Sequence, residues 1–310
     1  MAFLDDNYLI SNATGKRIFN EVKDLPVIDP HNHANVREIA DNACYSDAWQ
    51  LFAATDHYVW EMLRKRGVPE SLITGRDASA EEKFLAMAKI FPEIVGNPVY
   101  EWIHLDLKRY FGIDERLSEK TGRKIWNAVN EKLATDAFRP QALLTGPLNV
   151  EAMSSTDDPV DLLEDHERAN AAFGRRIIRP TWRPDKAMKI FAPGWREYID
   201  RVGKRFNRKI STFGDLIDAM RQSHDYFAEK GCLATDHGLE LPLRADYLFE
   251  DADRIFRRAL AGETLTAAEM DCYMGAFLAE AAALNAEKGW VTQLHLGAVR
   301  DVRARLFDAL

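Results

Sequence analysis

The stretch Val27-Ile28-Asp29-Pro30-His31-Asn32-His33 sets two imidazoles one residue apart, after an apolar run and a turn-capable Asp-Pro. Strand side chains alternate, so at the end of a buried strand His31 and His33 would point to the same side. Two neutral ring nitrogens at one depth make half a site for a borderline divalent metal such as Zn²⁺. Taken alone, an H-x-H pair is better explained by two loop histidines. What decides between these is whether other reactive groups arrive at the same end of the molecule.

The elements that would bring them there are well punctuated. Ser79-Ala80-Glu81-Glu82 and Thr266-Ala267-Ala268-Glu269 are capping boxes, in which side chains satisfy the free N–H groups of a helix start. From about 36 to 138 the chain reads as helical, with Phe84, Met87, Ala88 and Phe91 on one face of one helix and Ile125, Trp126, Val129 and Leu133 on another. Asp158-Pro159 reads as the cap and first turn of a helix, and Thr212 opens another that ends at Gly231. After 138, short apolar segments alternate with helices, the βα pattern of a parallel sheet.

Reactive groups gather at the carboxyl ends of parallel strands. Strand one ends in His31-Asn32-His33, strand two in Ser154-Ser155-Thr156-Asp157-Asp158 and strand three in Thr181-Trp182-Arg183-Pro184-Asp185. Strand four ends in Thr235-Asp236-His237 and strand five in His295. All five change from apolar to polar at the same end, the signature expected of an active-site mouth. His237, next to Asp236, faces the other side of its strand and is the weaker partner. His104, His166 and His224 read as packing residues. Arg183 and Arg300 can each grip a carboxylate through two parallel hydrogen bonds; Arg183 alone would read first as a surface ion pair with Asp185, and its place beside Trp182 at a strand end brings substrate binding level with that reading.

Composition bounds the partners. The 310 residues are 46% hydrophobic and 29% charged, with mean hydropathy −0.33, net charge −8 and pI near 5.6. Such a chain is a globular protein whose global field repels nucleic acid and anionic membranes, so neither is an expected partner. An anionic substrate would need a local arginine. Cys44, Cys232 and Cys272 form no C-x-x-C pair, which suits a reducing compartment, and the amino terminus lacks the pattern of a signal peptide. A cytoplasmic location is expected.

Several segments together resemble the uronate isomerase (glucuronate isomerase) family: VIDPHNH, DHYVW at 56 to 60, GNPVYEWIHLDLKRYFGI at 96 to 113, STDDP, TWRPDK, GCLATDH and GWVTQLHLGAVR at 289 to 300. The resemblance covers essentially the whole chain. It implies an α/β fold of the (β/α)8 TIM-barrel type, amidohydrolase-like and incomplete at the C-terminus. Residues 1–310 would form one metal-dependent barrel domain carrying strands one to five, with a helical insertion at 36–138 after the first strand. It also implies that His31 and His33 bind a divalent metal, zinc being the expected ion. Tyr58 would shuttle a proton between the two oxygens of an enediol, with His57 hydrogen-bonded to the same group. Asp236 and His295 would be the acid–base pair of ring opening, and Arg183 and Arg300 would bind the substrate.

The reaction implied interconverts D-glucuronate and D-fructuronate, and D-galacturonate and D-tagaturonate, by an aldose–ketose proton shift from C2 to C1. Chains of the family continue beyond Leu310, and a later Asp that completes the metal site has no counterpart here. Five parallel strands would leave open edges, so a homo-oligomer is expected. Two other readings use the same residues: a metal-dependent hydrolase of the amidohydrolase superfamily, and an inactive truncated fragment. The phenol of Tyr58 and the arginines favour the isomerase, because hydrolysis needs no proton-shuttling phenol.

Overall fold

The computed structural model describes residues 3–5, 7–243 and 247–297. The chain forms two compact units, one of residues 1–28 and 38–151, the other of residues 29–37 and 152–310.

The first unit is built from short helices around one apolar core. Phe84, Met87 and Ala88 of the helix Ala80–Ile90 pack with Ile125, Val129 and Leu133 of Gly122–Leu133. Ser79 and Glu82 form the expected reciprocal cap. His104 is buried, its Nε2 accepting the Leu117 N–H at 2.8 Å, which is a packing role. Among the described residues between 38 and 138 there are helices and turns and no strand.

Five short strands follow the anticipated order: β1 Val27–Asp29, β2 Val150–Ser154, β3 Ile178–Arg179, β4 Ala234–Leu239 and β5 Val291–Leu296. They do not form the expected barrel. β1, β2 and β3 make one three-stranded sheet, β4 and β5 a separate parallel pair, and the described residues are mostly helical. The (β/α)8, amidohydrolase-like fold is therefore corrected to a mainly helical α/β protein with two small sheets.

Pro180 supplies a physical reason for the break. Trp182 donates its N–H to Ala234 O at 3.2 Å and accepts from Asp236 N at 3.0 Å, an isolated parallel bridge between the sheets. Extending that register back by two residues sets Pro180 opposite Leu233 with its nitrogen facing the Cys232 carbonyl, and a proline nitrogen has no hydrogen to donate. The backbone pairing towards β4 therefore does not extend back along β3, and among the described residues Trp182 makes the backbone link between the sheets.

Two further expectations change. β1 does not read as a buried strand: Ile28 is 68% exposed, and β5 likewise exposes Val291, Leu294 and Leu296. Each is the outer strand of a small sheet, so the apolar run marks strand propensity without a covering layer. Nor does Asp158-Pro159 open a helix. Asp158 accepts from Val160 N and Tyr198 Oη, and the next helix starts at Glu164 after Leu163 turns into the left-handed region.

The second unit holds the larger core. Trp182, Phe213, Phe227, Phe256, Tyr273 and Phe277 are buried together, and the indole of Trp182 donates to Ser223 Oγ at 2.9 Å. Thr212 caps the helix Phe213–Glu229, and Thr266 caps Ala267–Lys288. From the latter, Asn285 donates to Thr235 Oγ1 of β4 at 2.6 Å and Thr292 Oγ1 of β5 at 2.7 Å. Its Oδ1 pairs with His224 Nε2 at 2.9 Å. One amide thus fixes both strands against their helix. Among the described residues, no helix is long and apolar enough to cross a membrane.

Burial lowers the pKa of His224 to about 4, with the hydrogen bond that His224 donates to Asn285 Oδ1 opposing part of that shift. The unfolded chain protonates this imidazole near its ordinary value, while the folded chain resists until about 4. Stability attributable to His224 is therefore complete above about pH 6.5 and falls as pH drops towards 4, with a slope of up to about 1.4 kcal/mol per pH unit. Urea titrations across that window should show a shallower decline for His224→Gln than for the unaltered protein.

Candidate active site

The site lies within the second unit and is organised by Asp236. β4 and β5 pair in parallel with Asp236 opposite Gln293 and Gly238 opposite His295, so these four residues share one face of the pair. Thr235 and His237 fall on the other face, where His237 Nε2 meets Thr235 Oγ1 at 2.9 Å. Burial holds His237 neutral, its pKa lowered to about 4. It plays no part in the cluster around Asp236, in keeping with its place on the opposite face.

Asp236 is fully buried. Its Oδ1 is 2.6 Å from His295 Nδ1, and its Oδ2 is 3.0 Å from Arg183 Nη1. The Arg183 contact is an ion pair without hydrogen-bond geometry, so among the described residues Oδ2 has no hydrogen-bond partner. His31 Nδ1, also buried and unpartnered, lies 3.9 Å from that same oxygen. A bare carboxylate in this position is costly, and two flanking groups of opposite charge or donor character offset the cost.

The segment that delivers His31 is a turn, not a strand. β1 ends at Asp29, whose carboxylate accepts from His31 N at 3.1 Å and from the Asn32 side chain at 3.1 Å. Asn32 N donates to Ser154 O, and Thr156 Oγ1 donates to Asn32 O. Gln293 Nε2 of β5 holds Pro30 O at 2.8 Å. The strand-alternation argument for His31 and His33 is therefore replaced by turn geometry. Their rings meet edge to face with centroids 5.0 Å apart, and those of His31 and His295 are 4.5 Å apart. Burial lowers the His33 pKa, helped by the neighbouring His31 and Arg183, which favours its neutral, metal-binding form.

His31, Asp236 and His295 place one donor atom each within 4.8 Å of one another, a donor set suited to a divalent cation. The paired orphan atoms His31 Nδ1 and Asp236 Oδ2 fit such an ion. His33 stands beside this group and is not one of the three. Arg183 approaches from β3's end, with Asp185 at 3.1 Å on its Nε. Both of its partners exist at once: Asp185, mostly buried, and Asp236, fully buried.

His57 and Tyr58 begin the helix His57–Lys65 in the other unit, capped by Asp56, with their rings 4.2 Å apart. Arg300 lies outside the described residues. Gln293 went unremarked in the sequence reading, because it carries no charge that would single it out, and Asp185 was read only as an ion-pair partner of Arg183.

A sequence model of the glucuronate isomerase family matches residues 1–310. The chain belongs to the glucuronate isomerase family. It is 46% identical over 309 residues to the uronate isomerase of Thermotoga maritima, covering 99% of this chain and 67% of that protein. The uronate isomerase of Caldicellulosiruptor saccharolyticus is 37% identical over 310 residues, covering 99% and 66%. The crystal structure of the T. maritima enzyme superposes with a TM-score of 0.95 at 45% identity, over all of this chain and 68% of that one. Glucuronate isomerase from Caulobacter crescentus gives 0.93 at 25% identity, over 99% and 66%. The chain thus spans about two thirds of the length of these relatives.

The donor set predicts uptake of one divalent ion per chain. In isothermal titration with zinc, His31→Ala should weaken binding by about tenfold or more, the range in which loss of a ligand or its support is felt. Unchanged affinity would remove His31 from the metal site.

Proposed function

We propose that this chain interconverts D-glucuronate and D-fructuronate, and D-galacturonate and D-tagaturonate, at the Asp236 cluster. As a member of the glucuronate isomerase family it is an aldose–ketose isomerase of uronic sugars. The observation that carries the mechanistic reading is the junction at one buried carboxylate of an imidazole at 2.6 Å and a guanidinium at 3.0 Å. That unites proton transfer with anion binding.

Arg183 would take the sugar's carboxylate, supplying the local positive charge that a chain of net charge −8 otherwise lacks. Ring opening needs a proton removed from the C1 hydroxyl and one delivered to the ring oxygen. His295, oriented through Nδ1 by Asp236, has its Nε2 available for that exchange, and the buried carboxylate stabilises the imidazolium formed. The C2-to-C1 proton shift then exchanges carbonyl and hydroxyl through an enediol. His31 and His33 would hold the metal, with zinc suited to imidazole donors. When bound, such an ion supplies electrostatic stabilisation to an oxygen on which negative charge develops.

A second arrangement has its own support: the proximity of His31, Asp236 and His295 makes these three the metal ligands themselves. His295→Asn separates the two. As a proton-transfer residue its loss leaves zinc stoichiometry intact and lowers kcat by about a hundredfold or more; as a ligand its loss releases the zinc. The function itself is tested by following ketose formation from D-glucuronate and D-galacturonate by NMR with the zinc-loaded chain. Turnover that collapses in Asp236→Asn is expected, and absence of turnover on both sugars would contradict the proposal.

A homo-oligomer completes the reading, supported by the exposed apolar side chains of β5. Light scattering should give a mass above the 35.3 kDa of one chain, and a monomer would count against it.

A further inference from the structure

We infer that Asp185 positions Arg183 for the substrate carboxylate, and that Gly238 lacks a side chain because this pairing occupies the space. The inference rests on the proposed role of Arg183 in binding a sugar acid.

Asp185 follows Arg183 by two residues, at the start of the short helix Asp185–Met188, and its side chain is mostly buried. Both oxygens are engaged. Oδ2 accepts from Arg183 Nε at 3.1 Å and from Lys189 Nζ at 3.2 Å, while Oδ1 accepts from Gly238 N at 3.1 Å. The guanidinium is therefore held at Nε, and its Nη1 end reaches Asp236. Lys189 supplies a second cation, so the two carboxylates are balanced by two positive charges. An arginine on a free stem would lose side-chain entropy on gripping a ligand, and fixing it beforehand removes much of that cost.

Gly238 ties this arrangement to β4. It lies two residues beyond Asp236 on the same strand face and opposite His295. A Cβ there would stand 2.7 Å from Arg183 Nη2 and 2.8 Å from Asp185 Oδ2. Both are closer than a Cβ tolerates, and the atoms that would give way are the far ends of flexible side chains. The fold can accept the added methyl, but the Arg183–Asp185 pairing cannot. If Asp185 served only to begin a four-residue helix, nothing would require Arg183 or Gly238 to meet it.

Asp185→Asn keeps the size of the side chain and one carbonyl acceptor while removing the anion opposite Nε. Gly238→Ala displaces the same guanidinium from the opposite side and leaves Asp185 intact. In steady-state kinetics with D-glucuronate, each should raise KM by about tenfold with kcat changed far less, the pattern of lost ground-state binding. In an Arg183→Met background neither should have further effect, because each acts through that side chain. A readout independent of turnover is the ¹⁵N NMR signal of the Arg183 Nε–H, which should exchange slowly with solvent in the unaltered protein and rapidly in both variants. An unchanged Nε–H signal in both variants, or additive effects in the Arg183→Met background, would overturn the inference. If the unaltered chain turns over no uronate, the proposed function fails instead, and the NMR comparison still decides how Arg183 is held.

Discussion

A carboxylate with no solvent exposure sets the terms for everything around it. Asp236 cannot keep its charge inside a protein unless groups of opposite sign or good donors surround it. Arg183 and His295 meet that requirement directly, and His31 is drawn to the same oxygen that Arg183 faces. Electrostatic necessity and chemical usefulness coincide here. The groups that keep the buried charge tolerable are those that can bind an anion and move a proton.

The supporting contacts are mostly backbone and neutral amide. Trp182 links β3's continuation to β4 by two hydrogen bonds, one of them from the N–H of Asp236 itself. Asn285 fastens β4 and β5 to the helix behind them, and Gln293 fastens β5 to Pro30, next to His31. Neutral supports of this kind fix position without adding charge that would compete with Asp236. Asp29, which holds the His31 turn, and Asp185 are the exceptions, and Lys189 offsets the latter.

Much of the site could be read from residue types. His31, Asp236, His295 and Arg183 stood out because reactive groups followed apolar segments at the same end, and all four meet in one unit. The architecture was less legible. Pro180 was visible in the sequence, but its effect depends on which neighbour its missing N–H would have faced, and register is a tertiary property. Val27 and Ile28 read as buried because an apolar run reports strand propensity, not whether another layer covers it. Asp185 was visible only as an ion-pair partner, since its contact with Gly238 joins residues 53 positions apart. The turn at Asp29 likewise replaced a strand argument: His31 and His33 lie side by side through turn geometry and not through strand alternation.

The central claim is that Asp236 organises a single pocket in which a sugar acid meets both Arg183 and His295. A crystal structure of the zinc-loaded chain with D-glucuronate bound tests it most directly. The account predicts the sugar carboxylate on the Arg183 guanidinium and the C1 end of the sugar beside His295. A sugar bound with its carboxylate away from Arg183, or in a cleft that Asp236 does not organise, would contradict it.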